Sequence, residues 1–253
     1  FGHVVRAEWT KLRSVWRWVV ALLAALVASV LFSIVAASES STDANDGPVD
    51  VGPDGTPVRD EFHFVHQPLT GDGSVVVRVV SGPDISHGSA GVMVKESTEP
   101  GSPYAAVMLG DSGVRMTANF DTEIDGSDSS APRWLRLTRS GEEITGFESP
   151  DGREWTEVGT VELAGLPETA EAGLFVSSRP EVTFERSAGS TSVHAMVTQS
   201  TATFDNVQLD GGSATDDWQG EDLRPIEGEP GGESVESDGT FVVTGSGEIR
   251  LDE

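Results

Sequence analysis

Short β-type segments separated by turn residues make up most of this chain. Ten such runs lie between residues 61 and 210, and several of them alternate apolar and polar side chains. Within RWLRLTRS, residues 133–140, Trp134 and Arg136 are predicted to share one face of a strand. Turns such as TGDG, RSGEE and SPDGRE connect the runs as hairpins. Because no amphipathic helical stretch separates the runs, the sequence predicts an all-β sandwich or barrel.

The charge of the chain is large and unevenly distributed. The 253 residues carry a formal net charge of −26, although the first 37 contain four basic residues and only one acidic residue. The acidic remainder would repel phosphates, which argues against nucleic acid as a partner. The chain contains no cysteine, so disulfides and thiolate chemistry are excluded.

The stretch WRWVVALLAALVASVLFSIVAAS, residues 16–38, predicts a membrane helix. The 21 residues from 18 to 38 have no charge, and a helix of that length spans a bilayer core of about 30 Å. Trp16, Arg17 and Trp18 lie at the basic end, where interfacial anchors are expected. We expect a retained transmembrane helix with a cytoplasmic N-terminus and an extracellular β-domain at the cell membrane. The alternatives are a signal peptide cleaved at the small residues of VAAS and a buried helix of a soluble protein.

Composition divides the chain into five segments. We predict a basic head and transmembrane helix in residues 1–38, a linker in 39–60, a β-sandwich in 61–210, an acidic Gly-rich linker in 211–239 and a terminal strand in 240–253.

The order of motifs in residues 61–210 resembles the concanavalin A-like lectin and glucanase family. The motifs are FHFVHQPLTGDGSVVVRV, AGVMVKES, YAAVML, RWLRLTRSGEEITGFESPDGREWTEVG and ATFDNVQL. They are most similar to the small module appended to bacterial secreted glycosidases. The resemblance implies an antiparallel jelly-roll sandwich.

The head, EWTKLRSVWRW, resembles the start of actinobacterial ABC exporter permeases, some of which carry a lectin-like domain between their first two membrane helices. This resemblance implies that the chain is the N-terminal part of such a permease and that a separate subunit hydrolyses ATP. The sandwich would then be a non-enzymatic, extracytoplasmic domain that contacts a glycan, the cell wall, a peptide or a partner subunit. The alternatives are a secreted or anchored carbohydrate-binding module and a degenerate or active glucanase.

The last segment, GTFVVTGSGEI, is displaced relative to the secreted modules that the sandwich resembles. In those modules a similar segment precedes the one like FHFVHQ, whereas here it follows residues 211–239. Because the first and last strands of a jelly roll lie close together, we expect residues 241–249 to complete the sheet as a permuted strand.

A carbohydrate site requires an exposed aromatic platform with polar partners. The candidates are Tyr104, Trp134 and Arg136, with Trp218 as a further aromatic residue. For Trp134, packing between the sheets is the competing interpretation. In SPDGREW, residues 149–155, we expect Asp151 to form the hairpin turn and Trp155 to pack into the core.

The acidic segment TEIDGSD, residues 122–128, approaches the E-x-D-x-x-E pattern that carries catalysis in jelly-roll glucanases. Glu123 and Asp125 fit the pattern, but the last position is the shorter Asp128. Gly126 and the following SDSSAP favour a solvated acidic loop, so no catalytic residue is assigned.

The residues Asp121, Glu123 and Asp125 are also spaced like the start of a calcium loop. Pro132 stands where a bidentate Glu is required, so we expect weak calcium binding at most and no other cofactor. His63 and His66 are three residues apart on a predicted strand and therefore face opposite sides, which disfavours a shared metal. No Ser/His/Asp arrangement follows from the spacing.

Overall fold

The computed structural model describes residues 20–21, 24–30, 49–83, 87–187, 190–211, 217–225 and 230–252. The chain divides into two compact units, residues 1–48 and 49–253. In the first unit, residues 20–21 and 24–30 are helical. No helix among the described residues is long and apolar enough to cross a bilayer. Most of the transmembrane helix predicted for residues 18–38 lies outside the described residues.

The second unit, residues 49–253, consists of strands joined by turns. The strands are β1 (Asp50–Val51), β2 (Pro57–Asp60), β3 (Phe62–Thr70), β4 (Gly73–Ser81), β5 (Gly88–Lys95), β6 (Tyr104–Gly110), β7 (Gly113–Ala118), β8 (Thr122–Asp125), β9 (Arg133–Ser140), β10 (Glu143–Ser149), β11 (Thr156–Glu162), β12 (Thr169–Ser178), β13 (Glu181–Ser187), β14 (Ser190–Met196), β15 (Ser200–Asp210), β16 (Gln219–Leu223), β17 (Glu233–Ser237), β18 (Thr240–Gly245) and β19 (Ile249–Leu251).

Two seven-stranded antiparallel sheets form the sandwich. The first sheet has the order β11-β10-β9-β4-β15-β18-β17, and the second sheet has the order β16-β3-β12-β5-β6-β7-β8. A three-stranded sheet, β1-β2-β19, is called the cover sheet below, and β13 pairs with β14 in a separate hairpin. The predicted all-β, antiparallel sandwich is confirmed.

The main core lies between the two large sheets. On β4, Val75, Val77 and Val79 are fully buried, whereas the side chains between them are only partly buried on the opposite face. These valines pack in one cluster with Val92 and Leu174 of the second sheet. The two-residue alternation seen in the sequence thus produces the inner face of the sandwich.

The second sheet is buried on both faces. Its outer face carries Phe64, Met93 and Phe175, which form a second apolar cluster with Val58 of the cover sheet and with the partly buried Leu251. All eight residues of β5 are buried as a result. This accounts for the nearly continuous apolar run AGVMV, since a strand that is covered on both sides needs no polar face.

A buried ion pair attaches the cover sheet to the second sheet. Lys95 Nζ of β5 lies 2.7 Å from Asp60 Oδ2 of β2, both side chains are fully buried, and Nζ also donates to the Ser102 carbonyl at 2.8 Å. Gly101 donates its backbone N–H to the same carboxylate. Its φ is +83°, and a Cβ at this position would clash with the Val51 carbonyl, so the position requires glycine. Burial lowers the pKa of Lys95, and the charge of Asp60 opposes this shift.

The two segments predicted as linkers contain strands. Residues 39–60 include β1 and β2, and residues 211–239 include β16 and β17, which form edges of the two large sheets. Val58 of β2 and Leu223 of β16, each 3% exposed, belong to the apolar cluster on the outer face of the second sheet. Because Gly, Pro and acidic residues surround these short strands, the sequence pattern does not predict them.

The displaced terminal segment lies inside the first sheet. Strand β18 pairs with β15 on one side, with Phe241 opposite Phe204, and with β17 on the other side. Phe241 and Val243 are buried in the main core. The following strand, β19, pairs with β2 in the cover sheet.

We predict that Asp60→Asn lowers the free energy of unfolding by about 3–5 kcal/mol, because the buried ammonium of Lys95 loses its counter-charge. Chemical denaturation of the chain measures this loss. The matched control is Asp111→Asn at an exposed turn. The double variant D60N/K95M should be less destabilised than the sum of its single variants. An effect of D60N no larger than that of D111N would contradict the proposed attachment.

Candidate functional site

A cleft of about 150 Å³ opens on the outer face of the second sheet, beside the cover sheet. Side chains from β5, β7, β8, β12 and β19 converge on it, and they include Ser89, Arg115, Thr117, Glu123, Ser177 and Arg250. Met108 and Ile249 contribute apolar surface. The cleft is therefore a polar opening at the border of an otherwise apolar face.

The alternation of β7 explains how the polar side chains reach this cleft. In GVRMTA, Val114 and Met116 are buried in the main core, so Arg115 and Thr117 must point to the outer face. The sequence shows this alternation, but it does not show that the cover sheet ends beside these two residues.

Three arginines border the cleft and only two carboxylates accompany them. Arg250 Nε lies 2.9 Å from Glu248 Oε2, and Glu248 is itself buried. Arg115 is 3.8 Å from Glu123, and it donates to Ser89 Oγ at 3.3 Å. Arg179 is exposed and forms no ion pair with any residue that the structure describes. The cleft therefore has a locally positive character in a strongly acidic chain.

The three predicted ligand-binding residues do not form one site. Tyr104 lies on β6 of the second sheet, whereas Trp134 and Arg136 lie on β9 of the first sheet. Tyr104 is 1% exposed and packs edge-on against Phe120, with ring centroids 4.9 Å apart. Burial also raises the pKa of its hydroxyl. Tyr104 is thus a core residue under the cover sheet and not the exposed platform that the sequence predicted.

Trp134 and Arg136 lie together on the outer face of the first sheet, but each packs against neighbouring residues. The Arg136 guanidinium lies 4.3 Å from the ring centroids of both Phe147 and Trp155, and desolvation lowers its pKa. Trp155, predicted to pack into the core, is therefore half-buried on the outer face.

The turn of SPDGREW closes over Trp134. Gly152, at a φ of +73°, lies so close to Trp134 that a Cβ would come within 2.8 Å of the indole ring. Asp151 accepts backbone N–H groups of Arg153 and Glu154, and these bonds lower the pKa of its carboxyl. Trp134 and Arg136 thus anchor this hairpin.

The acidic segment TEIDGSD is partly a strand. Residues Thr122–Asp125 form β8, the edge of the second sheet, because Ile124 packs against the main core and β7 supplies a pairing partner. Glu123 and Asp125 point outward and are exposed. The loop predicted for these residues is corrected accordingly.

The three predicted calcium ligands are not gathered into a site. Asp121 lies in the turn before β8, and Glu123 and Asp125 are exposed on the strand itself. Within the described ranges, no three His, Asp or Glu side chains are grouped closely enough to hold a metal ion. Weak calcium binding at Asp121, Glu123 and Asp125 stays a prediction.

The histidines of β3 have partners that the sequence did not reveal. His63 and His66 do face opposite sides of the strand: His63 Nδ1 lies 2.7 Å from Asp222 Oδ1 on one side. On the other side, His66 Nδ1 lies 2.7 Å from Glu171 Oε2 and its Nε2 lies 3.0 Å from Glu221 Oε1. Glu221 and Asp222, which are adjacent on β16, therefore bind imidazoles on opposite faces of the sheet. More than 150 residues separate each histidine from its partner on β16.

Comparison with known proteins gives likenesses of fold. No family model matches the chain, and no curated relative matches it. A GH43 protein, BlXynB, from Bacillus licheniformis is 16% identical with a TM-score of 0.39, covering 56% of this chain and 28% of its own. A protein from Saccharomyces cerevisiae of unknown function is 16% identical with a TM-score of 0.44, covering 66% of this chain and 83% of its own. Scytalido-glutamic peptidase is 11% identical with a TM-score of 0.44, covering 74% of this chain and 98% of its own.

The prediction that this protein is not an enzyme requires correction. Solved structures with a similar sandwich include peptidases, one of them bound to a transition-state analog inhibitor, and a GH43 protein. The fold is thus compatible with enzymatic activity, and a non-catalytic role does not follow from it. The chain spans about 28% of the length of the GH43 protein that it matches.

We predict that Arg136→Ala lowers the free energy of unfolding by about 1–2 kcal/mol, because the cation lies between two aromatic rings. Arg136→Lys should lose less, since the charge is retained while the planar stacking is lost. Arg153→Ala, at an exposed arginine of the neighbouring turn, is the control. Unchanged stability of R136A together with loss of saccharide binding would instead restore Arg136 as a ligand contact.

A second prediction concerns the attachment of β16. Replacement of His66 by Asn removes the hydrogen bonds to Glu171 and Glu221, so the amide protons of β16 should exchange about tenfold faster or more. Hydrogen exchange read by NMR or mass spectrometry measures this. Glu233→Gln on the exposed edge strand β17 is the control. Equal exchange of β16 in H66N and E233Q would show that these bonds do not hold the strand.

Proposed function

We propose that this chain is the N-terminal, membrane-anchored part of an ABC exporter permease, and that its β-sandwich is an extracytoplasmic, lectin-like binding domain. The cleft on the outer face of the second sheet is the observation that carries the binding role. The proposed partners are a glycan or other cell-wall ligand and a separate ATP-binding subunit. The proposal concerns ligand binding and does not depend on whether the cleft also converts its ligand.

The positions of the two ends of the sandwich support this proposal. Strand β2 near the start of the domain pairs with β19 near its end, so that Asp60 lies opposite Ile249. Both ends therefore meet in the cover sheet. A domain inserted between two membrane helices requires its ends to be on one side, as this pairing provides.

The charge distribution also supports an extracytoplasmic position. The basic residues of the head precede the uncharged stretch of residues 18–38, and basic segments favour the cytoplasmic side of a membrane. The alternative is a secreted or anchored carbohydrate-binding module, which would use the same cleft but would not belong to a transporter.

Membrane fractionation tests the anchored arrangement. We expect the full chain, expressed in a bacterial host, to stay in the membrane pellet after alkaline carbonate washing, and the β-sandwich to be digested by protease added to intact spheroplasts. A variant that lacks residues 18–38 is the control and should be released. Release of the unaltered chain would contradict the anchor and favour the secreted module, and protection from external protease would contradict the extracytoplasmic position.

A further inference from the structure

We infer that the cleft on the second sheet recognises a sugar that carries a single carboxylate, such as a hexuronate. The inference rests on the proposed binding function and adds the chemical class of the ligand. It is carried by the charges that border the cleft, by Arg179, which has no carboxylate partner among the described residues, by the long ion pair of Arg115 and by the hydroxyl groups beside them.

The charge balance of the cleft favours a ligand with one negative charge. Its described lining holds three arginines, whereas Glu123 and Glu248 are its two carboxylates. The excess is one positive charge, which a monoanion neutralises. The chain as a whole contains 16 basic and 42 acidic residues. A polyanion would thus be repelled by the surrounding surface, while one carboxylate on an otherwise neutral ligand would not.

Arg179 is available to a ligand, and Arg115 is held by only a long ion pair. Arg250 is bound to Glu248 at 2.9 Å, but Arg115 is 3.8 Å from the exposed Glu123, and Arg179 has no carboxylate partner among the described residues. Arg115 is partly buried and is oriented by Ser89. A guanidinium fork held in this way suits a carboxylate, which accepts two parallel hydrogen bonds from it.

The remaining lining of the cleft suits a sugar ring. Ser89 and Ser177 are 7% and 8% exposed, and Thr117 lies with them, so three hydroxyl side chains border the cleft. Hydroxyls both donate and accept, which matches the hydroxyl groups of a sugar ring. Met108 and Ile249 provide apolar contact for ring carbons. The cleft, of about 150 Å³, is a small volume that suits a single ring better than an extended segment of polymer.

The test is titration of the full chain in detergent micelles with D-glucuronate and D-galacturonate, and with glucose and galactose as neutral counterparts. We expect each uronate to bind about tenfold more tightly than its neutral counterpart. Arg179→Gln and Arg115→Gln should each lower the uronate affinity about tenfold and should reduce the preference for each uronate over its neutral counterpart. Arg153→Gln, an exposed arginine outside the cleft, is the matched control.

The outcomes separate this inference from the proposed function. Equal affinity for uronates and neutral sugars, or uronate binding that R179Q leaves unchanged, would overturn the inference while the binding function stands. Preference for a peptide with a free C-terminal carboxylate, such as acetyl-Ala-Ala, over both uronates would also overturn it. Absence of binding to any of these probes would overturn the binding function as well. Because Arg179 is exposed, the variant is expected to unfold like the unaltered chain, and denaturation of R179Q verifies this.

Discussion

The burial of both faces of the second sheet is the constraint on which the rest of this structure depends. Phe64, Met93 and Phe175 place large apolar side chains on the face that points away from the main core. Exposure of such a face to water would be strongly unfavourable, so a third layer is required. The cover sheet supplies that layer, and the fully buried pair of Lys95 and Asp60 joins it to the sheet below.

The cover sheet also borders the cleft and joins strands from the start and the end of the domain. It combines β1 and β2 from the start of the domain with β19 from its end, so the two ends meet on one side of the sandwich. Its residues Ile249 and Arg250 line the cleft, and Arg115 of β7 in the second sheet lines it as well. The layer that protects the apolar face therefore also creates the polar cleft at its border.

The sandwich was predictable because its alternation is local. Val75, Val77 and Val79 are separated by outward-facing residues, and the hairpin turns mark the ends of the strands. The sequence pattern is misleading at positions where a second layer changes the environment of a side chain. Tyr104 occupies an outer-face position of β6, but the cover sheet packs on that face, so the ring is buried. The strand β16 lies in a Gly-rich acidic segment, and its side chains Asp222 and Glu221 bind His63 and His66, which lie far upstream in the sequence.

The local sequence pattern was thus sufficient to predict the all-β architecture and the opposite orientations of His63 and His66, because both follow from neighbouring residues. The acidic character of the domain follows from composition alone. The cleft could not be found in this way. Arg115, Arg179 and Arg250 lie on separate segments and meet through strand pairings that the local pattern does not encode. Their proximity is a product of how three sheets stack, and stacking is set by the complementary apolar faces of distant strands.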